Sequence, residues 1–356
     1  MDRPTVDIYE EQSAFYEAHR KPRHLEAAIA LGQRRPAGPV VDLGSGPGWY
    51  TAALGRPVVA LDAAAAMLRR TREVAPGCLP VLGDLAALPF RRGSLRAAWA
   101  RNSYVHLRAT ELPMALNDLH HALAVDAPAE VTFFGGTRQG RDVFADDDLP
   151  GRWFSTWTPV RLQDVMHGAG FELDGLATRP ETDGGAGYTV RATRAPGLPD
   201  FVGAGMRLLV CGLNPSLHAA EHGVGYVSAN NRFWPAALAA GLVSRDRDPR
   251  HALGHHYIGM TDLVKRATAR ADALHPSDYV AGVARVDRLC DWLQPEAVCI
   301  VGLAGWRAAV DRRAQTGWQS HSLGGRPVYV MPSTSGLNAR TSLTEFTEHL
   351  RRAVSA

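Results

Sequence analysis

An asparagine that follows an apolar run is the first residue of this chain whose type and position suggest chemistry. The run from Leu208 to Cys211 has the length and flanking turn residues of a buried strand, and it leads into Gly212-Leu213-Asn214-Pro215-Ser216. Because a proline follows it, Asn214 is expected to be extended, with its side chain free to project. A lone Asn-Pro pair is usually an ordinary turn. A carboxamide at a strand end can instead orient water or a polar ligand.

Two later stretches carry polar residues that can join Asn214 at one site. The first is Gly223-Val224-Gly225-Tyr226, followed by Asn230-Asn231-Arg232-Phe233-Trp234 at the start of an apolar helix. The second follows the strand-like run Val328 to Met331 and reads Pro332-Ser333-Thr334-Ser335-Gly336-Leu337-Asn338. Strands alternate with helices here, which predicts a parallel sheet, and ligands bind beyond the carboxyl ends of such strands.

The second of these loops also has a purely structural interpretation. Ser342, followed three residues later by Glu345, is the signature of a capping box for the last helix. In this interpretation Leu337 is a buried anchor for the helix entry. The sequence leaves both alternatives open.

The first half of the chain contains a glycine-rich turn between a strand and a helix. Val40 to Leu43 reads as a strand, and Gly44-Ser45-Gly46-Pro47-Gly48 separates it from a helical run that begins at Trp49. Such glycines let a ligand approach the backbone closely, and the helix N-terminus favours polar or anionic groups. The next strand ends in Asp62, where a carboxylate can bind a ribose diol. A third strand leads into Gly83-Asp84-Leu85.

The remaining periodicity predicts further helices and strands around these motifs. Apolar residues at helical spacing predict one helix over residues 5–32, and other helices over 159–169, 279–293 and 306–314. Apolar runs predict strands at 97–100, 130–134 and 297–302. The acidic run Asp146 to Asp148 is expected to be a solvated loop.

Length and composition predict a two-domain protein of the ordinary globular class. The chain has 356 residues and a formal net charge of +3, which is weak evidence for a nucleic-acid partner. No apolar run is long enough to cross a membrane and the N-terminal stretch lacks a signal-peptide core, so a cytoplasmic location without a membrane partner is expected. Two prolines and a glycine in residues 195–199 suggest the domain boundary.

The cysteines and adjacent histidines do not indicate a metal site. Cys78, Cys211, Cys290 and Cys299 form no Cys-x-x-Cys pair. The pairs His120-His121 and His255-His256 lack the i, i+4 spacing of a helical metal pair, so both are expected to be surface or packing residues.

The first half resembles the class I S-adenosylmethionine-dependent methyltransferase family through the glycine turn after Asp42-Leu43, through Asp62 and through Gly83-Asp84-Leu85. A nicotinamide site is disfavoured, because Trp49 stands where its third glycine would be. The resemblance implies S-adenosylmethionine as the cofactor, with an unknown methyl acceptor. The residues that it implies around the cofactor are Asp42, Gly44, Gly46, Gly48, Asp62, Asp84 and Leu85.

The second half resembles the mismatch-specific uracil/thymine-DNA glycosylases of the uracil-DNA glycosylase superfamily. The resemblance rests on residues 212–215, 231–234, 259–264 and 331–337. It implies that Asn214 positions the hydrolytic water, that Tyr226 stacks on a flipped base and that Leu337 enters the duplex. The implied base pocket comprises Gly212, Leu213, Pro215, Ser216, Tyr226, Asn231 and Ser333. The implied wedge comprises Ser335, Gly336, Leu337, Asn338 and Arg340.

Two positions depart from the pattern of that family. Ser216 stands where the best-known members have a glycine that lines the base pocket, so this position bears on which base is preferred. One extra residue separates Leu337 from Arg340, which the resemblance implies as the partner of the widowed guanine.

Together the two resemblances imply an α/β protein with two domains. Residues 1–195 would form a Rossmann-like class I methyltransferase fold, and residues 196–205 a linker. Residues 206–356 would form an α/β/α uracil-DNA glycosylase fold with a mainly parallel sheet. The implied function is removal of uracil, with thymine or other damaged pyrimidines as further bases, from double-stranded DNA with G:U or G:T mismatches, in base excision repair. The glycosylase step is expected to need no cofactor. The alternative is a methyltransferase that an inactive glycosylase-like domain brings to nucleic acid.

Overall fold

The structure, a computed structural model, describes residues 1–180, 185–269 and 273–355. The chain divides into two compact units, each with its own sheet. The first unit comprises Met1–His167 and Phe171–Ala195, and the second comprises Gly168–Gly170 and Pro196–Ala356.

The first unit is a mainly parallel sheet with helices between its strands. Its sheet has the order β3-β2-β1-β4-β5-β7-β6, and β9 joins β5 antiparallel and pairs with β8. The strands are β1 (Val40–Leu43), β2 (Val58–Asp62), β3 (Leu79–Leu82), β4 (Ala97–Ala100), β5 (Pro128–Gly135), β6 (Gln139–Gly140), β7 (Phe154–Trp157), β8 (Phe171–Pro180) and β9 (Ala186–Arg194). The α-helices are α1 (Arg3–Glu11), α2 (Ser13–His19), α3 (Leu25–Arg34), α4 (Trp49–Ala53), α5 (Ala65–Val74), α6 (Leu112–Ala122) and α7 (Pro159–Gly168), with 3₁₀ turns at Tyr104–His106 and Ala109–Glu111.

The second unit has a sheet of order β11-β10-β12-β14-β13, in which only the short β13 pairs antiparallel among the described strands. Its strands are β10 (Leu208–Gly212), β11 (Ile258–Asp262), β12 (Ala297–Val301), β13 (Gly317–Trp318) and β14 (Val328–Met331). Its helices are α8 (Leu217–His222), α9 (Phe233–Ala239), α10 (Pro249–His256), α11 (Pro276–Leu293), α12 (Leu303–Ala309) and α13 (Leu343–Ala353). The predicted α/β class with two mainly parallel sheets is confirmed.

Five central strands of the two sheets are buried and, apart from Asp42 of β1, carry no charged side chain. Every residue of β1, β4, β10, β12 and β14 is buried, as expected for parallel strands that are covered on both faces. In the second unit, Trp306 of α12 and Val286 of α11 are fully buried in the same core as Val298 and Val330. The sheet is therefore a firm base for the loops that leave its carboxyl edge.

Several predicted element boundaries are wrong for local reasons. The helix predicted over residues 5–32 is three helices, with a first break at Gln12. The second break, between α2 and α3, contains Pro22, which disfavours a helical conformation at the residue before it. Helix α11 begins one turn before the predicted residue 279, since Pro276 suits the first helical position. Helix α12 spans Leu303–Ala309 rather than 306–314.

The acidic run is not simply a solvated loop. The side chain of Asp147 is only 9% exposed, and it forms an ion pair with the buried guanidinium of Arg152. A buried charge needs such a partner, because desolvation alone would disfavour it.

Residues 196–205, for which the sequence suggests a linker, make buried contacts within the second unit. Phe201 exchanges backbone hydrogen bonds with Met260 at 2.9 and 2.8 Å, and Leu198, Phe201 and Val202 are buried. Asp200 binds Lys265 and Arg285 in the same unit.

None of the described helices combines the length and hydrophobicity that crossing a bilayer requires.

Candidate functional site

The carboxyl edge of the second sheet borders a pocket of about 930 Å³. Asn214 lines it, as do all the residues that the sequence predicts for a base pocket: Gly212, Leu213, Pro215, Ser216, Tyr226, Asn231 and Ser333. Of the predicted wedge, Ser335, Gly336 and Leu337 also line it, whereas Asn338 and Arg340 do not. Two loops that are more than a hundred residues apart in sequence therefore share one cavity.

Asn214 is held by its amide nitrogen. Its Nδ2 donates to Thr268 Oγ1 at 2.7 Å and to the carbonyl oxygens of Pro215 and Arg266 at 3.2 Å each. Because carbonyl oxygens only accept hydrogen bonds, these contacts fix which end of the carboxamide is the nitrogen. Oδ1 receives no hydrogen bond from the described residues, so it is available to accept one from a water molecule.

The loop that carries Thr268 is fixed to the Asn214 loop by continued strand pairing. Leu263 N donates to Gly212 O at 2.9 Å, Val264 N donates to Leu213 O at 3.0 Å, and Thr268 N donates to Pro215 O at 3.1 Å. The parallel ladder of β10 and β11 thus extends past both strands, and the Asn214 backbone is not a free loop.

A buried ionic cluster supports this edge from beneath. Asp200 Oδ1 accepts from Lys265 Nζ at 2.7 Å and from Thr261 Oγ1 at 2.6 Å, and Asp200 Oδ2 accepts from Arg285 Nη1 at 2.8 Å. Arg285 also donates to Asp262 O at 2.8 Å. Burial opposes ionisation of Asp200, but Arg285 and Lys265 outweigh it and hold its pKa below the ordinary value.

Asp262, the last residue of β11, places a buried carboxyl in the same pocket. Its side chain is 8% exposed, and burial raises its pKa to about 6 even though Lys265 favours the charged form. A Cβ on Gly212 would collide with Asp262 Oδ1 and would stand 2.9 Å from the Tyr226 hydroxyl. A glycine at position 212 is therefore what lets the acid approach β10.

Tyr226 forms part of the pocket wall. Its backbone is left-handed, with φ of 57°, and its ring stacks on Phe233 with centroids 4.4 Å apart. Its hydroxyl is buried and has no hydrogen-bond partner among the described residues. Burial, followed by the nearby carboxylate of Asp262, raises the pKa of this phenol well above its ordinary value. The hydroxyl remains a neutral donor that is available to a ligand.

Ser216 does not fill the pocket with its hydroxyl group. Its Oγ accepts from Ala219 N at 3.1 Å and caps the N-terminus of α8. Its φ of −72° is one that any residue adopts, so the position does not require glycine. The Asn231 side chain has a similar local role, because its Oδ1 accepts from Phe233 N at 3.0 Å.

The loop over residues 333–341 exposes one leucine beside this pocket. Leu337 is 96% exposed, so the interpretation of this residue as a buried anchor is wrong. The capping box of Ser342 and Glu345 is nevertheless present and begins α13. The Arg340 guanidinium is exposed and forms no hydrogen bond or ion pair with the described residues.

One guanidinium binds the loop of Leu337 on both sides. Arg232 Nη1 donates to Thr341 O at 2.5 Å, and Nη2 donates to Ser335 O at 3.4 Å and to Asn338 O. The Asn338 side chain closes the loop by donating to Ser333 O at 2.9 Å. These contacts fix the backbone on which the exposed leucine stands.

In the first unit, the glycine turn after β1 has the backbone that its sequence predicts. Gly44, Gly46 and Gly48 have φ of 70°, 54° and 90°, which side chains other than glycine rarely adopt. A Cβ on Gly48 would stand 2.8 Å from the backbone of Thr71, whereas a Cβ on Gly46 would meet nothing within 4 Å. The turn is therefore packed on one side and open at Gly46.

Two carboxyl groups flank this turn. Asp62 accepts from Gly46 N and Ala64 N, both at 2.9 Å, and burial raises its pKa to about 6. The buried Asp42 accepts from Thr51 Oγ1 at 2.6 Å, and burial raises its pKa to about 7. Asp62 is thus positioned by the turn itself, while Asp42 supports α4.

The third predicted pair in this unit has other partners. Asp84 accepts from Ala86 N at 2.8 Å and forms an ion pair with the Met1 amino group at 2.6 Å. Leu85 is 2% exposed. The structure therefore brings Gly46 and Asp62 together and gives Asp84 and Leu85 contacts of their own.

Family models match both units. Residues 199–355 match the uracil DNA glycosylase superfamily, and residues 40–126 match a methyltransferase domain. The chain carries a domain of each. Its glycosylase-superfamily domain contains the pocket of Asn214, and its methyltransferase domain contains the turn of Gly46.

Solved structures similar to this chain include two that are described as S-adenosylmethionine-dependent methyltransferases. One, from Methanosarcina mazei, has 16% identity and a TM-score of 0.39, and the match covers 44% of this chain and 92% of that chain. Another, from Mesorhizobium loti, has 20% identity and a TM-score of 0.38, covering 48% and 100%. A third, the 1,6-didemethyltoxoflavin-N1-methyltransferase of Burkholderia thailandensis with bound S-adenosylhomocysteine, has 17% identity and a TM-score of 0.44, covering 54% and 88%.

Three features of the glycosylase-superfamily domain are absent from the sequence predictions. Asp262 lies in the motif at residues 259–264, but the sequence of that motif does not indicate that the Asp262 carboxyl faces the pocket. Arg232 lies in the motif at residues 231–234, but the carbonyl oxygens that it binds lie about a hundred residues later in the chain. The pair His218 and His222 has the i, i+4 spacing that signals a helical metal pair, and that signal was readable from the sequence.

Proposed function

We propose that the glycosylase-superfamily domain excises uracil from mismatched double-stranded DNA, as in base excision repair. The observation that carries the proposal is that the anchored carboxamide of Asn214 and the buried carboxyl of Asp262 line one pocket. Bases in a duplex are stacked, so an enzyme that acts on them must first rotate the nucleotide out. A concave pocket beside an exposed apolar residue suits that step.

The chemistry of base excision assigns different roles to the two groups. Cleavage of the bond from C1′ to a pyrimidine nitrogen develops positive charge on the sugar and negative charge on the departing base. Asn214 orients water through Oδ1, but a carboxamide does not take up a proton at neutral pH. At pH values above its pKa of about 6, Asp262 is mostly ionised. Its carboxylate can then accept the proton of the attacking water and can stabilise the positive charge on the sugar.

The pocket wall supplies groups for holding the base. The neutral Tyr226 hydroxyl is a buried donor that can bind a carbonyl oxygen of a pyrimidine. Since the Ser216 hydroxyl caps α8, it does not by itself exclude a base with a methyl group. Thymine and other damaged pyrimidines are therefore the next bases to compare with uracil.

The Leu337 loop is proposed to fill the gap that the flipped nucleotide leaves. An apolar side chain inserted between base steps compensates for lost stacking, and a 96% exposed leucine is available for this. Arg232 donates to the carbonyl oxygens of Ser335, before Leu337, and Asn338, after it, which limits how far the loop can move. The exposed Arg340 is proposed to contact the guanine left behind or its phosphates.

We further propose that the methyltransferase domain binds S-adenosylmethionine at the glycine turn. The open space above Gly46 and the Asp62 carboxylate fit such a ligand, because they offer close backbone approach and an acceptor for ribose hydroxyls. Bound there, the cofactor would supply an electrophilic methyl group. Gly44, Gly46 and Asp62 would hold it, and Asp42 would support the turn through α4. The methyl acceptor is open.

The second candidate function is a methyltransferase that an inactive glycosylase-like domain brings to nucleic acid. The sequence feature in its favour was Ser216, and the helix-capping contact of that residue offers a structural reason for the serine. The polar groups of the pocket favour the active glycosylase.

The test is base excision by the purified full-length chain. A labelled duplex with one G·U pair is incubated with the protein and then treated with alkali, which breaks the strand at abasic sites. Duplexes with G·T or A·U pairs and a single-stranded uracil substrate run in parallel. Excision is expected to be faster from G·U than from A·U, because a mismatched pair opens at lower free energy. Absence of strand breaks with all four substrates would favour the inactive domain.

A further inference from the structure

We propose that the exposed face of α8 is a binding site for one zinc-class cation. His218, Glu221 and His222 each direct one ligand atom to this face, and these atoms lie within 4.8 Å of one another. All three side chains are exposed and none lines the pocket of Asn214. The site is therefore separate from the proposed excision chemistry.

Helix geometry brings these three residues together. Residues three and four positions apart lie on one side of a helix, and the His218 and His222 rings have centroids 4.1 Å apart. Ligand atoms around a tetrahedral zinc ion lie about 3.3 Å apart, given bond lengths near 2.05 Å. Small rotations of exposed side chains bring atoms within 4.8 Å to that separation.

A backbone contact already selects the form of His222 that binds metals. Its Nδ1 lies 2.9 Å from His218 O. A carbonyl oxygen only accepts, so Nδ1 must carry the hydrogen and Nε2 keeps its lone pair. Metal-binding histidines usually donate their second ring N–H to a carbonyl or carboxylate, because this fixes the orientation of the ring. The arrangement is the one that a ligand at Nε2 requires.

The donor set determines the class of ion. Two imidazoles and one carboxylate suit zinc and similar transition metals, whereas magnesium prefers an octahedron of oxygens. Three protein ligands leave a fourth position for water. A bound ion would link one turn of α8, whose first turn carries Ala219 and whose N-cap is Ser216, and both of these line the pocket.

Calorimetry with the full chain tests the site directly. The protein is treated with EDTA, dialysed and titrated with ZnCl₂ or MgCl₂. We expect one zinc ion per chain and no comparable binding of magnesium. Removing a ligand with His222→Gln should weaken zinc binding at least about tenfold. Circular dichroism in EDTA should match wild type, because the side chain is exposed.

The chain offers a matched control on α10. His255 is exposed and lies beside His251, with ring centroids 4.2 Å apart, but the described residues provide no third ligand there. His255→Gln should leave the tight zinc site intact. The proposal is overturned if wild type binds no zinc, if magnesium binds equally well, or if His255→Gln weakens binding as much as His222→Gln does.

Discussion

Replacement of Asp262 by asparagine separates two consequences of a buried acid, one for stability and one for rate. The pKa of this carboxyl is raised from 3.8 to about 6, chiefly by burial. One pH unit of displacement corresponds to about 1.4 kcal/mol, so ionising Asp262 in the folded chain costs about 3 kcal/mol more than in the unfolded chain. The carboxamide of the Asp262→Asn variant would carry no charge and would avoid this cost.

The sign of the pH dependence follows from proton uptake. Between pH 3.8 and about 6 the folded chain holds a proton on Asp262 that the unfolded chain has lost. The free energy of unfolding therefore falls as pH rises through this window, and the full loss is present above it. Relative to wild type, Asp262→Asn should be nearly equal in stability at about pH 3.5 and up to about 3 kcal/mol more stable at about pH 8.

Excision should change in the opposite direction. If Asp262 accepts the proton of the attacking water, its loss should slow single-turnover excision from a G·U duplex by roughly two to four orders of magnitude. In wild type the rate should fall as pH drops below about 6, where Asp262 becomes protonated. The residual rate of Asp262→Asn should lack this acid limb. The Asp262→Asn variant should thus be more stable than wild type at about pH 8 but slower in excision.

The assay combines urea unfolding and single-turnover excision at a series of pH values. Asp291→Asn is the matched control, because Asp291 is an exposed carboxylate of the same unit and does not line the pocket. It should shift neither profile. A difference in unfolding free energy between wild type and Asp262→Asn that stays constant across the whole pH series would refute the buried-acid reasoning. An acid limb that persists in Asp262→Asn would refute its catalytic role.

Three further outcomes follow from the two sites. Leu337→Ala should weaken binding to a G·U duplex but leave folding and activity on single-stranded uracil nearly unchanged. The control Leu343→Ala, at another exposed leucine, should change neither duplex binding nor single-strand activity. Equal losses on both substrates in Leu337→Ala would contradict the wedge role. Asp62→Ala should bind S-adenosylmethionine at least about tenfold more weakly by calorimetry, because it loses a charge-assisted hydrogen bond of about 1.5–3 kcal/mol. Unchanged affinity in a folded variant would contradict the cofactor assignment. Excision should persist in EDTA, since the proposed zinc site lies outside the pocket, and rescue of a chelator-inhibited reaction by a divalent ion would argue against metal-free chemistry.

The sequence was sufficient to predict the sheet and the edge that borders the pocket. Apolar runs such as Leu208–Gly212 and Val328–Met331, bounded by turn residues, are typical of buried strands of a parallel sheet, and in such sheets the loops after the strands meet at one edge. The shared cavity of Asn214 and Ser333 follows from topology alone. No detail of side-chain packing is needed for this result.

The features that escaped prediction depend on contacts between distant segments. Asp262 faces the pocket because Gly212, on the neighbouring strand, has no side chain to exclude it. Arg232 binds a loop that follows it by about a hundred residues, and no local pattern specifies that partner. The break between α2 and α3, in contrast, has a local signal in Pro22. His218 and His222 were likewise readable from their spacing.

Asn214 provides the most direct test of the proposed glycosylase activity. Asn214→Ala removes the oxygen that orients water while the pocket, Asp262 and the Leu337 loop remain. Single-turnover excision from a G·U duplex should fall by roughly two to three orders of magnitude, the usual effect of losing one preorganised polar group, while duplex affinity changes little. Excision by Asn214→Ala at the wild-type rate would contradict the proposed mechanism.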